Sequence, residues 1–325
     1  MSSTVAGHVK LGAYEGASLL LVRTVTPLHI GVGRTIGVVD LPIVRDSLGF
    51  PVIPTSSLKG ALRSQLSEAL GEGLVKMLFG PDVGEEAYAV ALAFTEGYLL
   101  AMPVRSLRGV WALATSPVLV YRFQRMLRMM RSLEDSDELR ALEQLAGRLL
   151  EESSGMDINQ AIVCRKGEEE LSVEIMNRKN IIVNEEFQYE CKQDENLREF
   201  FEKVKTPEAW RAILLHDDRI RNVIERSIIR RARVRLKKDK TVEEGPWSEE
   251  DVPADTLFFN VILYSKPRNP QTSQEKLENA KDVKNSVLKA LFTDYDHRRG
   301  YAIFGGHETI GRGIVELIGL AGCSP

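Results

Sequence analysis

Three observations predict an α+β fold with mixed or antiparallel sheets. Strand-like and helix-like stretches are interspersed without a sustained β-α repeat, no short-period internal repeat is visible, and 43% of the 325 residues are hydrophobic, enough for a real core. Taken in order, "ASLLLVRTV" (17–25) is short, apolar and β-branched toward its end, which predicts a first strand. It feeds the glycine-rich stretch "TPLHIGVGRTIGVVDLPIVRD" (26–46), where Asp40 is the sole acid until Asp46. The period then changes: Leu58, Leu62, Leu66 and Leu70 recur every four residues, predicting a helix with Ser56 or Ser57 placed to cap it.

"YAVALAFTEGYLLAMPVRS" (88–106) holds two apolar runs separated by Thr95, Glu96 and Gly97, which predicts paired strands around a tight turn. "PVLVYRFQRMLRMMR" and "DELRALEQLAGRLLEE" predict two helices, with the polar "SLEDS" between them. From 153 to 216 the pattern is mixed, with one strand expected at "NIIVNEEFQYE" and a helix near "NLREFFEKV". In "RRARVRLKKDK" (230–240) seven of the eleven residues are basic, and the acidic "EEGPWSEED" follows at 243–251. Arg231, Arg233 and Arg235 alternate with Ala232, Val234 and Leu236, so a strand sets the arginines on one face and the apolar residues on the other. "YAIFGGHETIGRGIVEL" (301–317) predicts strand, glycine-rich loop, strand.

Composition narrows the function classes. No run approaches a membrane span, and "MSSTVAGHVKLG" lacks the layout of a signal peptide, so a cytoplasmic protein without a membrane partner is expected. Cys164, Cys191 and Cys323 are scattered and odd in number, and no CxxC or HxxxH spacing occurs, which argues against a disulfide framework or structural zinc. A net charge of −3 argues on average against nucleic-acid binding, but the average hides the basic run at 230–240.

The two glycine-rich loops are the main candidates for chemistry, because a glycine backbone can approach a phosphate and aim several N–H groups at it. "GVGRTIG" and "GGHETIGRG" lack both the Rossmann context and the GK[ST] of a P-loop, and each also reads as an ordinary turn. Asp40 reads either as a hydrogen-bonded turn residue or as a metal ligand or proton acceptor. His29 could act as general base or acid on a ribose 2′-hydroxyl, or simply pack. His307 and Glu308 carry the same pair of readings. Lys59 and Arg63, one turn apart, suit a polyanion or a solvated face. Three same-face arginines suit a sugar-phosphate backbone, with a protected sheet edge as the alternative.

In this order, "TPLHIGVG", "GVVDLPIVRD…GFPVIPTSSLKGALR", "MPVRSLRGVWALATSPVLVYRF", "RARVRLKKDKTVEEGPWSEEDVPADTLFF" and "FGGHETIGRGIVEL" closely resemble the backbone RAMP (Cas7-like) subunits of type III-B (Cmr) CRISPR effector complexes. The resemblance spans nearly the whole chain. It implies a single RAMP domain over 1–325: a ferredoxin-like, RNA-recognition-motif-like palm at 17–110 and 255–320, a mainly helical insertion at 111–228, and a thumb β-hairpin at 229–254. It further implies copies stacked as a helical filament along a guide crRNA beside other type III-B subunits. Their thumbs would displace every sixth nucleotide, and complementary target RNA would be cut there with a divalent metal, Mg²⁺ or Mn²⁺.

Carried over, the catalytic aspartate of "GVVD" is Asp40, which would hold the metal weakly with the RNA. His29 and Glu308 become auxiliary candidates, and His307 stands where the family commonly has an acid. Lys59, Arg63, Arg231, Arg233, Arg235, Arg312 and the glycines Gly305, Gly306, Gly311 and Gly313 become RNA-binding candidates, with the acidic stretch after the arginines read as a turn of the thumb. Two other readings stay open: a purely structural RNA-binding module, and a RAMP endonuclease that processes precursor guide RNA through His29 without metal.

Overall fold

The computed structural model describes residues 11–82, 84–85, 88–267, 277–294 and 296–323. Its elements run β1 (Tyr14–Thr24), β2 (Val52–Ile53), α1 (Thr55–Leu70), α2 (Glu72–Phe79), β3 (Leu92–Phe94), β4 (Gly97–Ser106), β5 (Val110–Thr115), α3 (Pro117–Arg131) and α4 (Asp137–Glu152). There follow β6 (Gln160–Val163), α5 (Arg165–Leu171), β7 (Val173–Ile175), β8 (Arg178–Asn184), β9 (Phe187–Gln193), α6 (Glu195–Lys203), β10 (Ala212–Leu215) and α7 (Asp217–Ser227). The chain closes with β11 (Ile229–Leu236), β12 (Val242–Asp251), β13 (Leu257–Ser265), α8 (Ala280–Leu291), β14 (Arg299–Ile303) and β15 (Ile314–Gly319).

This is the mixed α+β content that the sequence predicts. One large sheet runs in the order β14-β15-β1-β13-β4-β5-β10-β6-β9-β8-β7, mostly antiparallel, and β11–β12 form a separate two-stranded sheet. The β5–β10 and β6–β9 pairs are parallel. β8 returns to β4 at Ser106↔Asn184, so six strands close into a ring and hide most of their edges. β1 and β13 lie at the centre, where alternate residues of β1 feed two cores. Leu20 and Val22 pack toward α1, α2 and α8, while Leu19 and Leu21 pack toward α3, α4 and α6. β13 is buried at every position, as expected of a strand covered on both faces. Among the described residues no helix is long and apolar enough to cross a membrane.

Several local expectations are corrected. Pro54, not a serine, precedes the first turn of α1, and no side chain caps it; Ser56 and Ser57 lie inside the helix. The leucine stripe does point inward, with Leu58, Leu62 and Leu66 buried. β3 and β4 do not pair with each other. Both lie along β13, β3 against Ile262–Tyr264 and β4 against Leu257–Phe259, because a long apolar strand offers one edge to both. Thr95 bridges the break, its N–H donating to the Val261 carbonyl and its Oγ1 accepting from the Val261 N–H.

The single strand expected at 180–190 is the hairpin β8–β9, turned at Glu185, which adopts φ +54°. Around it, β6, β7 and β10 are further strands that the sequence did not single out, although helix still exceeds strand across 111–228. The reason is tertiary: short runs such as Ala212–Leu215 become strands by finding partners in the ring. The acidic stretch after the arginines is likewise not a turn but the strand β12. The turn lies at 237–241, where Asp239 accepts from the Thr241 N–H and hydroxyl.

Candidate active site and nucleic-acid interface

Three segments lie side by side at one end of the sheet. The first glycine-rich loop (25–50) is anchored by buried Leu28, Ile30 and Ile43. The end of β12 flanks it through mutual Leu28–Val252 backbone bonds and through Leu41 N–H to Ser248 O (3.0 Å) and Glu250 N–H to Leu41 O (3.0 Å). The C-terminal loop (304–313) flanks it on the other side, with Gly306 N–H donating to His29 O and Gly313 N–H to Pro27 O, both at 2.9 Å. Gly305 is required there: it has φ +75°, and a Cβ would stand 2.2 Å from the His29 carbonyl oxygen.

Asp40 sits where the loop tip returns to β12, half-exposed. Its Oδ2 accepts from the Ser248 backbone N–H (2.7 Å) and hydroxyl (2.8 Å), and its own N–H donates to Ser248 Oγ (3.0 Å). The Ser248 backbone bond, then its hydroxyl, hold the Asp40 pKa below the usual carboxylate value; partial burial opposes them and Arg34 assists. The carboxylate is therefore ionised at neutral pH and can accept a proton or bind a cation, but not donate a proton. Next to it, Ile36 and Val38 are fully exposed at the loop tip.

Beneath Asp40 lies a feature that composition concealed. Glu249, Glu250 and Asp251 are all buried, each answered by cations. Glu249 accepts from Trp247 Nε1 (2.8 Å), Arg233 (3.0 Å) and Arg312 (2.7 Å). Glu250 meets Arg45 and Arg230, each at 3.2 Å, and Asp251 meets Arg231 (2.9 Å) and Arg312 (3.0 Å). Burial works to raise the Glu249 pKa, yet the Trp247 indole, Arg312 and Arg233 outweigh it and bring the value down to about 2.

This cluster changes the roles expected of several basic residues. Arg231 and Arg233 do share a face, but that face is spent on the acids of the opposite strand; Arg235 reaches Glu244 at 3.2 Å. Arg312 is buried as an internal countercharge rather than displayed to RNA. The apolar alternates Val234 and Leu236 are exposed, as is Arg235. The signal was present in sequence: Glu249 and Asp251 share one face of a strand, and in the hairpin Arg231 stands opposite Glu249, so the diagonal neighbours on that face are the ion pairs Arg231–Asp251 and Arg233–Glu249.

His29 is nearly buried, its Nδ1–H donating to the Glu250 carbonyl at 2.7 Å, with Asp251 Oδ1 3.8 Å away. Its ring lies 4.8 Å from that of His307, whose pKa is lowered chiefly by burial, against the pull of Glu249. His307 Nε2 lies 3.6 Å from Glu249.

On the far side of the first loop from Asp40, a cleft of about 1050 Å³ opens between the two glycine loops and α1. Gly31, Gly33, Gly305 and Gly306 form its floor, with Ser56, Ser57, Gly60 and Ser64 on one wall and Tyr301 and Glu308 opposite. Small residues and serine hydroxyls suit the close approach of a sugar-phosphate chain. Asp40, Lys59 and Arg63 do not line this cleft, and neither do Gly311 and Gly313. Gly313 is instead fitted against Phe304, whose carbonyl oxygen would stand 2.0 Å from a Cβ. Arg63 is held by Asp82 (2.6 Å) and the Pro81 carbonyl. Lys59 is half-buried, has no ion pair among the described residues, and its pKa is lowered by burial and by Arg63. Among the described residues no group of three or more His, Cys, Asp or Glu side chains comes together to hold a metal ion.

With this geometry in place, the comparisons with known proteins agree with one another. The RAMP superfamily model matches residues 21–316. The chain is 34% identical over 308 residues to the CRISPR system Cmr endoribonuclease Cmr4 of Pyrococcus furiosus, covering 93% of this chain and 95% of that one. It is 31% identical to the CMR subunit Cmr4 of Saccharolobus solfataricus, covering 94% and 96%. Among solved structures it resembles a chain of the type III-B Cmr-beta complex bound to cognate target RNA, with a TM-score of 0.73, 28% identity, and 96% and 100% of the two chains covered. Oligomeric Cmr4 from Pyrococcus furiosus matches with a TM-score of 0.62 and 27% identity, covering 94% and 98%.

Proposed function

The chain belongs to the RAMP superfamily, among its Cmr4 subunits, and from that premise we propose that it is a guide-RNA-binding backbone subunit of a type III-B CRISPR complex that cleaves complementary target RNA, with Asp40 as the catalytic group. The observation that carries this reading is an ionised carboxylate, Asp40, held on an exposed glycine loop against the base of a free-standing hairpin. The named relative is an endoribonuclease, and the neighbouring complex holds cognate target RNA.

In this reading the sheet around β1, β13 and β15 serves as a ferredoxin-like palm, and copies of the chain stack in a filament with other subunits. The glycine-floored cleft takes the guide backbone through N–H and hydroxyl contacts, so base pairing with the guide, not the protein, selects the target. The β11–β12 hairpin is the thumb that displaces one target nucleotide in six. Its exposed Val234, Leu236 and Val242 suit contact with unstacked bases.

A displaced nucleotide can reach in-line geometry, which stacking in an A-form helix forbids. The 2′-hydroxyl attacks the adjacent phosphorus while Asp40 takes its proton; the P–O5′ bond breaks, and the leaving oxygen takes up a proton. Mg²⁺ or Mn²⁺ would be held by Asp40 jointly with RNA phosphates, since the described residues assemble no cage of three or more ligands. Such an ion supplies charge stabilisation at the phosphate. His29 donates Nδ1–H to the Glu250 carbonyl, which leaves Nε2 as the ring's one acceptor, but the ring is only 6% exposed, so Asp40 is the more accessible base in this reading.

The test is cleavage of a labelled complementary RNA by the guide-loaded complex, with Mg²⁺ and with EDTA. A ladder at six-nucleotide intervals in Mg²⁺ alone is expected. Intact target in both conditions sinks the catalytic reading and leaves a structural module, whereas cleavage of a repeat hairpin in EDTA points to the metal-independent processing enzyme. For the guide contact, Lys59→Ala is expected to weaken guide binding uniformly across sequences and to reduce the slope of log K against log salt by about one. An unchanged slope in a salt titration removes Lys59 from the RNA interface.

A further inference from the structure

We propose that Ser248, a residue of the hairpin strand β12, is the positioning residue for Asp40, so that the hairpin and the catalytic carboxylate move as one piece. This rests on the reading of Asp40 as the catalytic group.

The geometry is reciprocal. The Ser248 hydroxyl donates to Asp40 Oδ2 at 2.8 Å and its oxygen accepts the Asp40 N–H at 3.0 Å, while the Ser248 backbone N–H reaches the same Oδ2 at 2.7 Å. Both bonds from Ser248 to the carboxylate fall on Oδ2, so Oδ1 receives none from it. The Ser248 side chain thereby joins the backbone bonds at Leu41 in holding the loop here, and joins its own backbone N–H in orienting the carboxylate. The loop's own bonds near the tip, Thr35 N–H to Asp40 O (2.9 Å) and Thr35 Oγ1–H to Val39 O (3.1 Å), set its shape but do not touch the carboxylate.

What lies behind Ser248 is rigid. The next three residues are the buried acids Glu249, Glu250 and Asp251, tied to Arg312 of the C-terminal loop and Arg45 of the first loop. Ser248 pairs in register with Ala232 of β11, so the strand cannot slide without breaking those ion pairs. A displacement of the hairpin, as when it meets a nucleic acid, therefore reaches the carboxylate through one hydroxyl and one N–H. Misplacement of a reacting group by about 1 Å can cost on the order of 10²-fold in rate, which is the size of effect a positioning bond controls.

The test uses guide-loaded complex with Ser248→Ala, Ser248→Thr and Asp40→Asn, measuring single-turnover cleavage and target-RNA affinity. Ser248→Ala is expected to slow cleavage by about 10- to 100-fold with affinity unchanged, and Ser248→Thr, which keeps the hydroxyl, to restore most of the rate. Unchanged affinity certifies that the variants fold and assemble. If Ser248→Ala cuts at the wild-type rate while Asp40→Asn does not cut, the positioning role is overturned and Asp40 stands. If Ser248→Thr is as slow as Ser248→Ala, strand packing rather than the hydroxyl is responsible, and the proposal is again overturned. If Asp40→Asn cuts normally, the catalytic reading beneath it fails first.

Discussion

Asp40→Asn in the guide-loaded complex is expected to lower target cleavage by at least about 10²-fold, the scale of losing a general base, with target affinity unchanged. The substitution is nearly isosteric, and an amide oxygen still accepts the two Ser248 bonds, so the loop keeps its shape. What disappears is the negative charge and the basicity. The sign of the pH dependence follows from the direction of the shift: the deprotonated carboxylate is the base of the proposed reaction, and hydrogen bonding to Ser248 holds its pKa below the usual value. Activity owed to Asp40 is therefore fully present at neutral pH and is lost only as pH falls through that lowered pKa. Single-turnover assays of wild type and variant decide it. Equal rates make Asp40 a loop-shaping residue and move the chemistry to Glu308, His29 or another subunit.

Arg312→Met is expected to destabilise the fold by about 3–5 kcal/mol, the cost of breaking a buried ion pair from one side. Arg312 Nη1 bridges Glu249 Oε2 at 2.7 Å and Asp251 Oδ1 at 3.0 Å, and both acids are 0% exposed, so its loss leaves two buried carboxylates short of a cation. Arg235→Ala is the control: both partners of the Arg235–Glu244 pair are well exposed, and its removal should cost no more than about 1 kcal/mol. Denaturant unfolding reads both as midpoint shifts at unchanged slope. A loss in Arg312→Met no larger than in Arg235→Ala contradicts an internal ion network. The cluster also predicts acid sensitivity. Glu249 has a folded-state pKa of about 2 against 4.5 for an ordinary glutamate, so its stabilisation is present above 4.5 and drains away as pH falls toward 2.

Much of the fold was legible because helix and strand periods are local. The stripe of Leu58, Leu62 and Leu66, the helices flanking "SLEDS", the buried first strand and the strands around the C-terminal glycine loop all stand where period and composition set them. Asp40 stood out as a candidate for a similar reason, as the one acid between Thr26 and Arg45, and its position alone left a turn residue and a chemical group both open. Of the strands in 153–216 only the stretch at 180–190 was legible, because the other runs, of three or four residues, have no decisive period; Ala212–Leu215 and Gln160–Val163 are strands by virtue of β5 and β9 beside them.

The site divides along the same line. By itself the sequence determined which residues carry charge, which loops are rich in glycine, and that Arg231, Arg233 and Arg235 must share a face if they form a strand. Only the tertiary structure decided what those charges meet. Arg312 lies 63 residues from Glu249 and Asp40 lies 208 from Ser248, and those pairings exist because the first glycine loop is bonded to β12 on one side and to the C-terminal loop on the other. Periodicity propagates along the chain, whereas the partner of a buried charge is chosen by which segments the sheet brings within 3 Å or so of one another, and burial without such a partner is too costly to persist.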